Sequence, residues 1–219
     1  MTTPSFSPHQ ALADRLLPHA ASSGDGSHDL SHILRVWANV CRLMAEEGGD
    51  AEILLAATLL HDCVAVEKTS PLRAKASRLA AYRARGILAD LGWPAPRIAA
   101  VAHAIAAHSF SAGIAPETLE ARILQDADRL DAIGLIGVAR CFYVAGRTGV
   151  NLYDPTDPSA ANRPLDDRRF ALDHFETKLL TLARGFQTET GRRLALARHQ
   201  SLLAFRDGLL AELAADPSA

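Results

Sequence analysis

Residues 51–62, AEILLAATLLHD, are the stretch that predicts the centre of this fold. The segment is apolar nearly all round, a pattern typical of a helix buried on every side. It closes on the polar pair His61-Asp62. A carboxylate at a helix C-terminus opposes the helix dipole by ~0.3–1 kcal/mol, and burying it without a partner costs much more. A metal cation would offset both costs, and the alternative is an ion pair with an arginine such as Arg35.

The flanking segments place this helix within an almost wholly helical chain. Asp29 or Ser27 can cap the preceding helix, and the glycine pair at 48–49 ends it. Pro71, which follows a capping serine, is a start signal for the next helix because the first helical position needs no N–H donor. Apolar periodicity predicts helices over residues 30–46, 51–62, 71–91, 96–108, 116–141, 166–185 and 188–214.

Residues 146–166, GRTGVNLYDPTDPSAANRPLD, interrupt the helical pattern with three clusters of glycine and proline. A loop of this length is unusual in a compact domain, so we expect a mobile lid near the mouth of a pocket.

Composition narrows the class of protein. Hydrophobic residues make up 48% of the 219 residues and charged residues 22%, with a net charge of −2, so no basic excess suggests a nucleic-acid partner. Three cysteines without a C-x-x-C motif are typical of reduced, partly buried thiols. The longest apolar run, residues 53–60, is too short to cross a bilayer, and the N-terminus does not resemble a signal peptide. We expect a cytoplasmic protein without a membrane partner.

Besides the His61-Asp62 pair, His32 and Asp128 are candidate metal ligands. Their contexts are SHDLSHILRV, LLAATLLHDCV and ILQDADRLDAIG. Imidazoles and carboxylates together form a first shell for a divalent metal that leaves positions open for water. For His32 the alternative is a core histidine bonded to a backbone carbonyl. His28 lies one turn earlier and can reach the same region.

Helical periodicity separates the three acids within the predicted helix 116–141. One stripe is formed by Ala121, Leu124, Asp128, Asp131 and Leu135. Asp128 is therefore the ligand candidate, and Asp131 is a candidate for a supporting or substrate-binding role. Asp126 lies opposite, near arginines one turn away, and we expect a surface ion pair of little energetic value. Gly134 lies inside this predicted helix and favours close helix packing.

The same projection separates His108 from His103. One face is shared by Ile98, Val101, Ile105 and His108. We therefore expect His108 in the core or in a site within it, and His103 toward solvent. His174 lies off the apolar stripe of its own predicted helix and is either structural or substrate-facing.

The order His, His-Asp, Asp resembles the HD superfamily of metal-dependent phosphohydrolases, and within it the bacterial YedJ/YpgQ-like proteins. The resemblance is carried by HDCVAVEKTSPLRAKAS, AAHSFSAG, QDADRLDAIGLIGVAR and RPLDDRRFALDHFETKLL. It covers about residues 27–200 and implies an all-α fold. The implied architecture is a single HD-domain helical bundle over residues 1–219, with a metal site at its centre and C-terminal helices to about residue 214.

The resemblance also implies roles for individual residues. The metal ligands would be His32, His61, Asp62 and Asp128. For catalysis it implies a phosphate-facing or second-metal histidine at His108 and a basic residue at Lys68. Many members carry an acid shortly after the HD pair, whereas here CVAV follows and Glu67 is the first acid, so the general acid stays open. Reasoning from the individual residues adds the candidates for substrate binding, which are Arg73, Asp131, His28 and His174.

These features lead to an expected reaction. Two imidazoles and two carboxylates suit a divalent transition metal such as Mn, Fe, Co, Ni or Zn. We expect metal-dependent hydrolysis of a phosphate ester or anhydride, with a nucleotide as the substrate and Lys68, Arg73 and His108 facing the phosphoryl charge. The alternative is a non-catalytic ligand- or nucleotide-sensing module that keeps the HD fold. Metal-dependent turnover of any nucleotide distinguishes the two, and the oligomeric state stays open.

Overall fold

The protein folds almost entirely into α-helices, as the sequence predicts. The structure, a computed structural model, describes residues 6–20, 29–64, 66, 75–109 and 112–214. Over these residues the only extended pairing is an isolated bridge between Asn151 and Phe170. The helices are α1 Gln10–Leu16, α2 Leu30–Glu47, α3 Ala51–Leu60, α4 Ala76–Asp90, α5 Ala95–Ala107, α6 Leu119–Asp131, α7 Gly134–Thr148, α8 Asp173–Thr177 and α9 Glu189–Leu213. The all-α class is confirmed.

Local signals set both ends of α2. The Asp29 carboxylate accepts hydrogen bonds from Ser31 N at 2.9 Å and from His32 N at 3.2 Å, so it caps the first turn. The helix stops at Gly48, whose φ of 81° suits a residue without a Cβ. The predicted cap and bounds are confirmed, and the cap holds the backbone from which the His32 side chain projects.

α3 lies at the centre of the helices that pack around it. Every residue from Ile53 to Leu60 is buried, and the helix packs against α1, α2, α4 and α5. Asp50 caps it, because its carboxylate accepts hydrogen bonds from Glu52 N and Ile53 N, each at 3.0 Å. The helix ends at Leu60 and His61 takes the C-cap position. The prediction of a fully buried central helix is confirmed.

The helix predicted over 116–141 is wrong, because the chain forms two helices there. α6 ends at Asp131, and α7 begins at Gly134, which has a φ of 73°. This left-handed conformation is open to glycine at no steric cost, so the residue turns the chain and does not continue the helix. The turn also leaves Leu135 65% exposed, although the sequence pattern placed it on the inward stripe.

The helix predicted over 166–185 is also wrong. Only α8 and a short 3₁₀ turn, Leu179–Thr181, form in this segment. Arg129 donates hydrogen bonds to the carbonyl oxygens of Leu182 at 2.9 Å and Arg184 at 2.6 Å. A guanidinium from a distant part of the sequence thus satisfies backbone groups that a regular helix would pair internally. The final predicted helix, 188–214, agrees with α9.

The predicted loop 146–166 starts later than expected, because α7 continues to Thr148. The loop that follows is held by ion pairs within itself and to α8. Arg163 donates to both carboxylate oxygens of Asp173, at 2.6 and 2.8 Å, and lies 3.3 Å from an oxygen of Asp154. Its role as a mobile lid remains a prediction.

The chain is divided into two compact units. The first contains the described residues within Met1–Asp128 and Gln187–Gly191, and the second those within Arg129–Phe186 and Arg192–Ala219. The single-domain organisation therefore remains a prediction. Across the residues that the structure describes, no helix is both long and apolar enough to span a lipid bilayer.

The three cysteines carry free thiols, as the sequence predicts. Cys63 is buried, while Cys41 and Cys141 are half-buried. Burial raises the pKa of the Cys63 and Cys141 thiols to about 11, so neither forms a reactive thiolate near neutral pH.

Candidate metal centre

Five side chains from four helices of the first unit meet in one cluster. His32 comes from the first turn of α2, the adjacent pair His61-Asp62 from the end of α3, His108 from the end of α5, and Asp128 from α6. The three imidazoles are buried, whereas the Asp62 and Asp128 side chains are 34% and 29% exposed. The histidines therefore line the floor of the cluster and the carboxylates its solvent side.

The polar atoms of this cluster approach one another closely. His32 Nε2 lies 3.2 Å from His61 Nε2 and 3.5 Å from Asp128 Oδ1. His61 Nε2 lies 3.6 Å from Asp62 Oδ2 and 3.9 Å from Asp128 Oδ1. His108 Nε2 lies 3.9 Å from Asp62 Oδ1. Two sets of three donors result, and His61 belongs to both.

Backbone carbonyls fix the orientation of two of the rings. His61 Nδ1 bonds to Thr58 O and His108 Nδ1 bonds to Ile105 O, each at 2.7 Å. Because a carbonyl oxygen can only accept, each ring carries its proton on Nδ1. In the neutral ring Nε2 then has a lone pair directed into the cluster, which is the arrangement of a metal-ligating histidine held by a second hydrogen bond.

Electrostatics favour neutral imidazole at His108. Burial lowers the pKa of His108, and the neighbouring His61 lowers it further, while the two aspartates act in the opposite direction. A neutral ring is the form that can bind a cation or accept a proton at Nε2.

The residues present fit a divalent metal. Ligands about 2.1 Å from one ion lie roughly 3.0–3.4 Å apart in tetrahedral or octahedral shells. The spacing of 3.2 Å between the Nε2 atoms of His32 and His61 lies within that range. Asp62 and Asp128 also bring two carboxylates to one imidazole, and a cation would neutralise their mutual repulsion. The cluster can therefore hold a transition metal.

The structure does not describe four of the predicted site residues. His28, Glu67, Lys68 and Arg73 lie outside the described residues.

Two further candidates belong to the second unit and have ion-pair partners there. The Asp131 carboxylate is buried and lies 2.7 Å from Arg140 Nη1. His174 Nδ1 lies 2.9 Å from Asp167 Oδ2. The sequence left His174 as either structural or substrate-facing, and the structure adds a contact of the first kind. The substrate-binding role of both residues stays a prediction.

His103 is half-buried and has a structural contact. Its Nε2 accepts a hydrogen bond of 3.0 Å from Glu117 N, which lies just before α6. The prediction that it points away from the face of His108 agrees with this position, but it is held at the backbone and not simply solvated.

Asp126 corrects the prediction of a surface ion pair. It is 0% exposed and accepts hydrogen bonds from Gln187 N and Thr188 N at 2.8 Å and from Thr188 Oγ1 at 2.7 Å. The donors come from the chain leading into α9, so helical projection of α6 alone had no means of placing them.

Two buried amide side chains lie on helices that carry the cluster, and the sequence analysis did not single them out. Asn39 and Gln125 are each 3% exposed. A signal for both was present, because Asn39 recurs at helical spacing with His32 and Gln125 with Asp128. A polar residue on the buried stripe of a helix requires a hydrogen-bond partner.

The region that carries this cluster matches the HD domain family over residues 29–133. YpgQ from Bacillus subtilis (strain 168) is 33% identical to this chain over 182 residues, which are 81% of this chain and 80% of YpgQ. The chain belongs to the HD-domain family. The matched region includes all five residues of the cluster.

Solved structures agree with this family assignment. Bacillus subtilis YpgQ in complex with ADP is similar to this HD-domain protein with a TM-score of 0.72 and 32% identity, covering 92% of this chain and 98% of the other. An HD-superfamily hydrolase from Bacillus thuringiensis has a TM-score of 0.72 and 28% identity, covering 95% and 99% of the two chains. This HD-domain protein is accordingly a hydrolase.

Proposed function

We propose that this hydrolase is a metal-dependent phosphohydrolase that cleaves a phosphate ester or anhydride of a nucleotide. The observation that carries the proposal is the convergence of four ligand-type side chains, namely His32, His61, Asp62 and Asp128. The ring of His61 is held with its lone pair directed at the others. Buried imidazoles beside partly exposed carboxylates support a metal site that a substrate can approach.

These four residues would hold the metal. A divalent metal bound there lowers the pKa of water and polarises a phosphoryl oxygen. His32 and His61 supply neutral nitrogen ligands, and Asp62 and Asp128 supply the negative charge that balances the cation. Because both carboxylates are on the solvent side, a phosphate would approach the cluster from that side.

His108 and the chain after the HD pair would act on the phosphoryl group. His108 presents an unprotonated Nε2 toward Asp62, so it can accept a proton at that atom or support a second cation. Lys68 and Arg73 are the proposed cations for charge that develops on the phosphate, and Glu67 is the proposed proton donor to the leaving group. The proposed substrate contacts also include His28, Asp131 and His174.

A nucleotide is the proposed substrate class, because a similar protein, Bacillus subtilis YpgQ, forms a complex with ADP. ADP contains both a phosphate ester and an anhydride, so binding alone does not select the bond that is broken. The products must therefore be identified directly.

The test is a screen of nucleoside mono-, di- and triphosphates with Mn²⁺, Co²⁺, Ni²⁺ and Mg²⁺, with separation of products by chromatography. We expect metal-dependent release of phosphate or pyrophosphate. Asp62→Ala should abolish turnover and lower the metal content of the protein, whereas Asp90→Ala, at an exposed position on α4, should leave both unchanged. Nucleotide binding without turnover under every metal would instead favour the sensing module.

A further inference from the structure

A buried amide joins α6 to the residue next to His108. Gln125 Nε2 donates a hydrogen bond of 2.7 Å to the carbonyl oxygen of Ala107. Ala107 is the last residue of α5, so its carbonyl has no partner within the helix. The amide satisfies this carbonyl and, by the same bond, fixes the end of α5 from which His108 projects.

A second buried amide joins α2 to the residue next to Asp128. Asn39 Nδ2 donates a hydrogen bond of 3.0 Å to Ala127 O. Asn39 lies on the helix that carries His32, and Ala127 immediately precedes Asp128. The bond therefore links the backbones that position two groups, His32 Nε2 and Asp128 Oδ1, which lie 3.5 Å apart.

A third contact repeats the pattern at the HD pair. Arg83 Nη1, from α4, donates a hydrogen bond of 2.8 Å to the carbonyl oxygen of Cys63, which immediately follows Asp62. Three different helices thus each use one side chain to hold the carbonyl of a residue adjacent to the cluster. Apolar packing resists separation of helices but is less directional than a hydrogen bond.

We propose that Asn39 and Gln125, assisted by Arg83, are positioning residues that set the spacing of the His–Asp cluster. Ligand geometry must hold to within about 0.5 Å. These two bonds fix the position of α6 against α2 and α5 at residues 125 and 127, just before Asp128. The inference rests on the proposed function for its catalytic meaning. The positioning itself concerns the cluster and is testable in the metal-free protein.

The test compares Asn39→Leu and Gln125→Met, which keep the size of the side chain and remove the donor, with Thr190→Val. Thr190 is buried, and its Oγ1 lies 3.2 Å from Glu46 Oε2. That contact is at the far end of α2, roughly 21 Å along the helix from His32 at 1.5 Å per residue. It therefore controls for the loss of a part-buried interhelical hydrogen bond.

The first measurement is the ¹⁵N spectrum of the histidine rings in the metal-free, full-length variants. We expect the His108 signals to move in Gln125→Met and the His32 signals to move in Asn39→Leu, while Thr190→Val keeps the wild-type ring spectrum. Should either core variant fail to fold, Arg83→Met carries the test, because Arg83 is exposed and its loss leaves no cavity. It should shift the signals of His61.

The second measurement is a Mn²⁺ titration. We expect the affinity of Asn39→Leu and Gln125→Met to fall roughly tenfold, and that of Thr190→Val to stay near wild type. Unchanged ring spectra and affinities in the amide variants, or equal changes in Thr190→Val, would overturn the positioning role. A wild-type protein that binds none of Mn²⁺, Co²⁺ and Ni²⁺, but whose ring spectra still separate the variants, would instead overturn the proposed function and keep the positioning.

Discussion

At the scale of single residues, two histidines are oriented toward the cluster by hydrogen bonds to their own helices. His61 and His108 occupy the C-cap positions of α3 and α5, and each ring bonds to the carbonyl three residues earlier. The last carbonyls of a helix lack the backbone N–H four residues later as a partner, so each ring bonds to one of them while its other nitrogen stays available. The helix ending and the orientation of the ligand atom therefore have the same cause.

This geometry predicts different effects for two histidines of the same helix. His108→Ala should lower kcat by roughly 10²-fold or more, because it removes a nitrogen directed at Asp62. His103→Ala should leave kcat within a few-fold of wild type and cost about 1 kcal/mol of unfolding free energy, because it removes one hydrogen bond to Glu117 N. Steady-state kinetics and urea unfolding measure the two effects. A larger kinetic loss in His103→Ala would contradict the assignment.

At the scale of elements, the beginning of α9 is built around a buried carboxylate of α6. Both oxygens of Asp126 accept hydrogen bonds from residues 187 and 188. Gly191, in the first turn of α9, donates its backbone N–H to Thr188 Oγ1 at 3.0 Å. A Cβ at Gly191 would overlap Asp126 Oδ2 and Thr188 Oγ1. The close approach of the two elements thus depends on the absence of a side chain.

Two glycines of α9 should therefore respond in opposite directions to alanine. Gly191→Ala should lower the unfolding free energy by about 2 kcal/mol, because the buried oxygens that it meets are held by hydrogen bonds. Gly208→Ala should raise it by up to about 1 kcal/mol, because a Cβ there meets open space and alanine favours helix. Urea denaturation followed by circular dichroism gives both values. Stabilisation by both substitutions would mean that α9 begins differently.

At the scale of the whole molecule, the second unit contains its own buried ion pair. Asp173 is 2% exposed, accepts two hydrogen bonds from Arg163 and accepts a third from Asp166 N at 2.7 Å. The hydrogen bonds from Arg163 lower the pKa of Asp173 despite its burial. The folded state therefore prefers the ionised carboxylate.

A pH dependence of stability follows from that preference. Asp173→Asn should cost about 2 kcal/mol near neutral pH, through the loss of charged hydrogen bonds. The contribution of the wild-type carboxylate is present above its ordinary pKa of 3.8 and is lost as the pH falls through the lower folded value. The difference between wild type and variant should thus shrink in acid.

Unfolding curves between pH 3 and 7 measure this difference. Asp207→Asn is the control, because the Asp207 side chain is 60% exposed and its pair with Arg206 should contribute little. A difference that grows in acid would contradict the assignment.

Metal binding should also be visible as stability of the whole protein. At a concentration near 100 times the Kd, Mn²⁺ should add about 2.7 kcal/mol to the unfolding free energy. For a chain of this size that raises the Tm by roughly 5–10 °C. Asp128→Ala should lose most of the shift, because its carboxylate faces two histidines of the cluster. An equal shift in wild type and Asp128→Ala, measured by thermal scanning, would place the ion elsewhere.

The sequence by itself determined those features that depend on a few neighbouring residues. The bounds of α2 follow from Asp29 and Gly48, and the burial of α3 follows from its uniform apolar composition. The cluster residues were identified because the order and context of their side-chain types could be recognised along the chain. Helical periodicity then separated His108 from His103. For the helix bounds and for the two histidines the controlling interactions span about one helical turn, so the linear pattern contains them.

Only the tertiary structure decided the features whose partners are far apart in the chain. Asp126 is buried because its donors lie 61 and 62 residues away, and Asn39 finds its acceptor 88 residues away. The segment 166–185 loses its predicted helix where Arg129, more than 50 residues earlier, binds its carbonyls. A local pattern predicts that such groups are polar and lie on helices. It does not identify the distant backbone group with which each forms a hydrogen bond. Because an unpaired buried polar group is costly, those distant partners overrule the local preference.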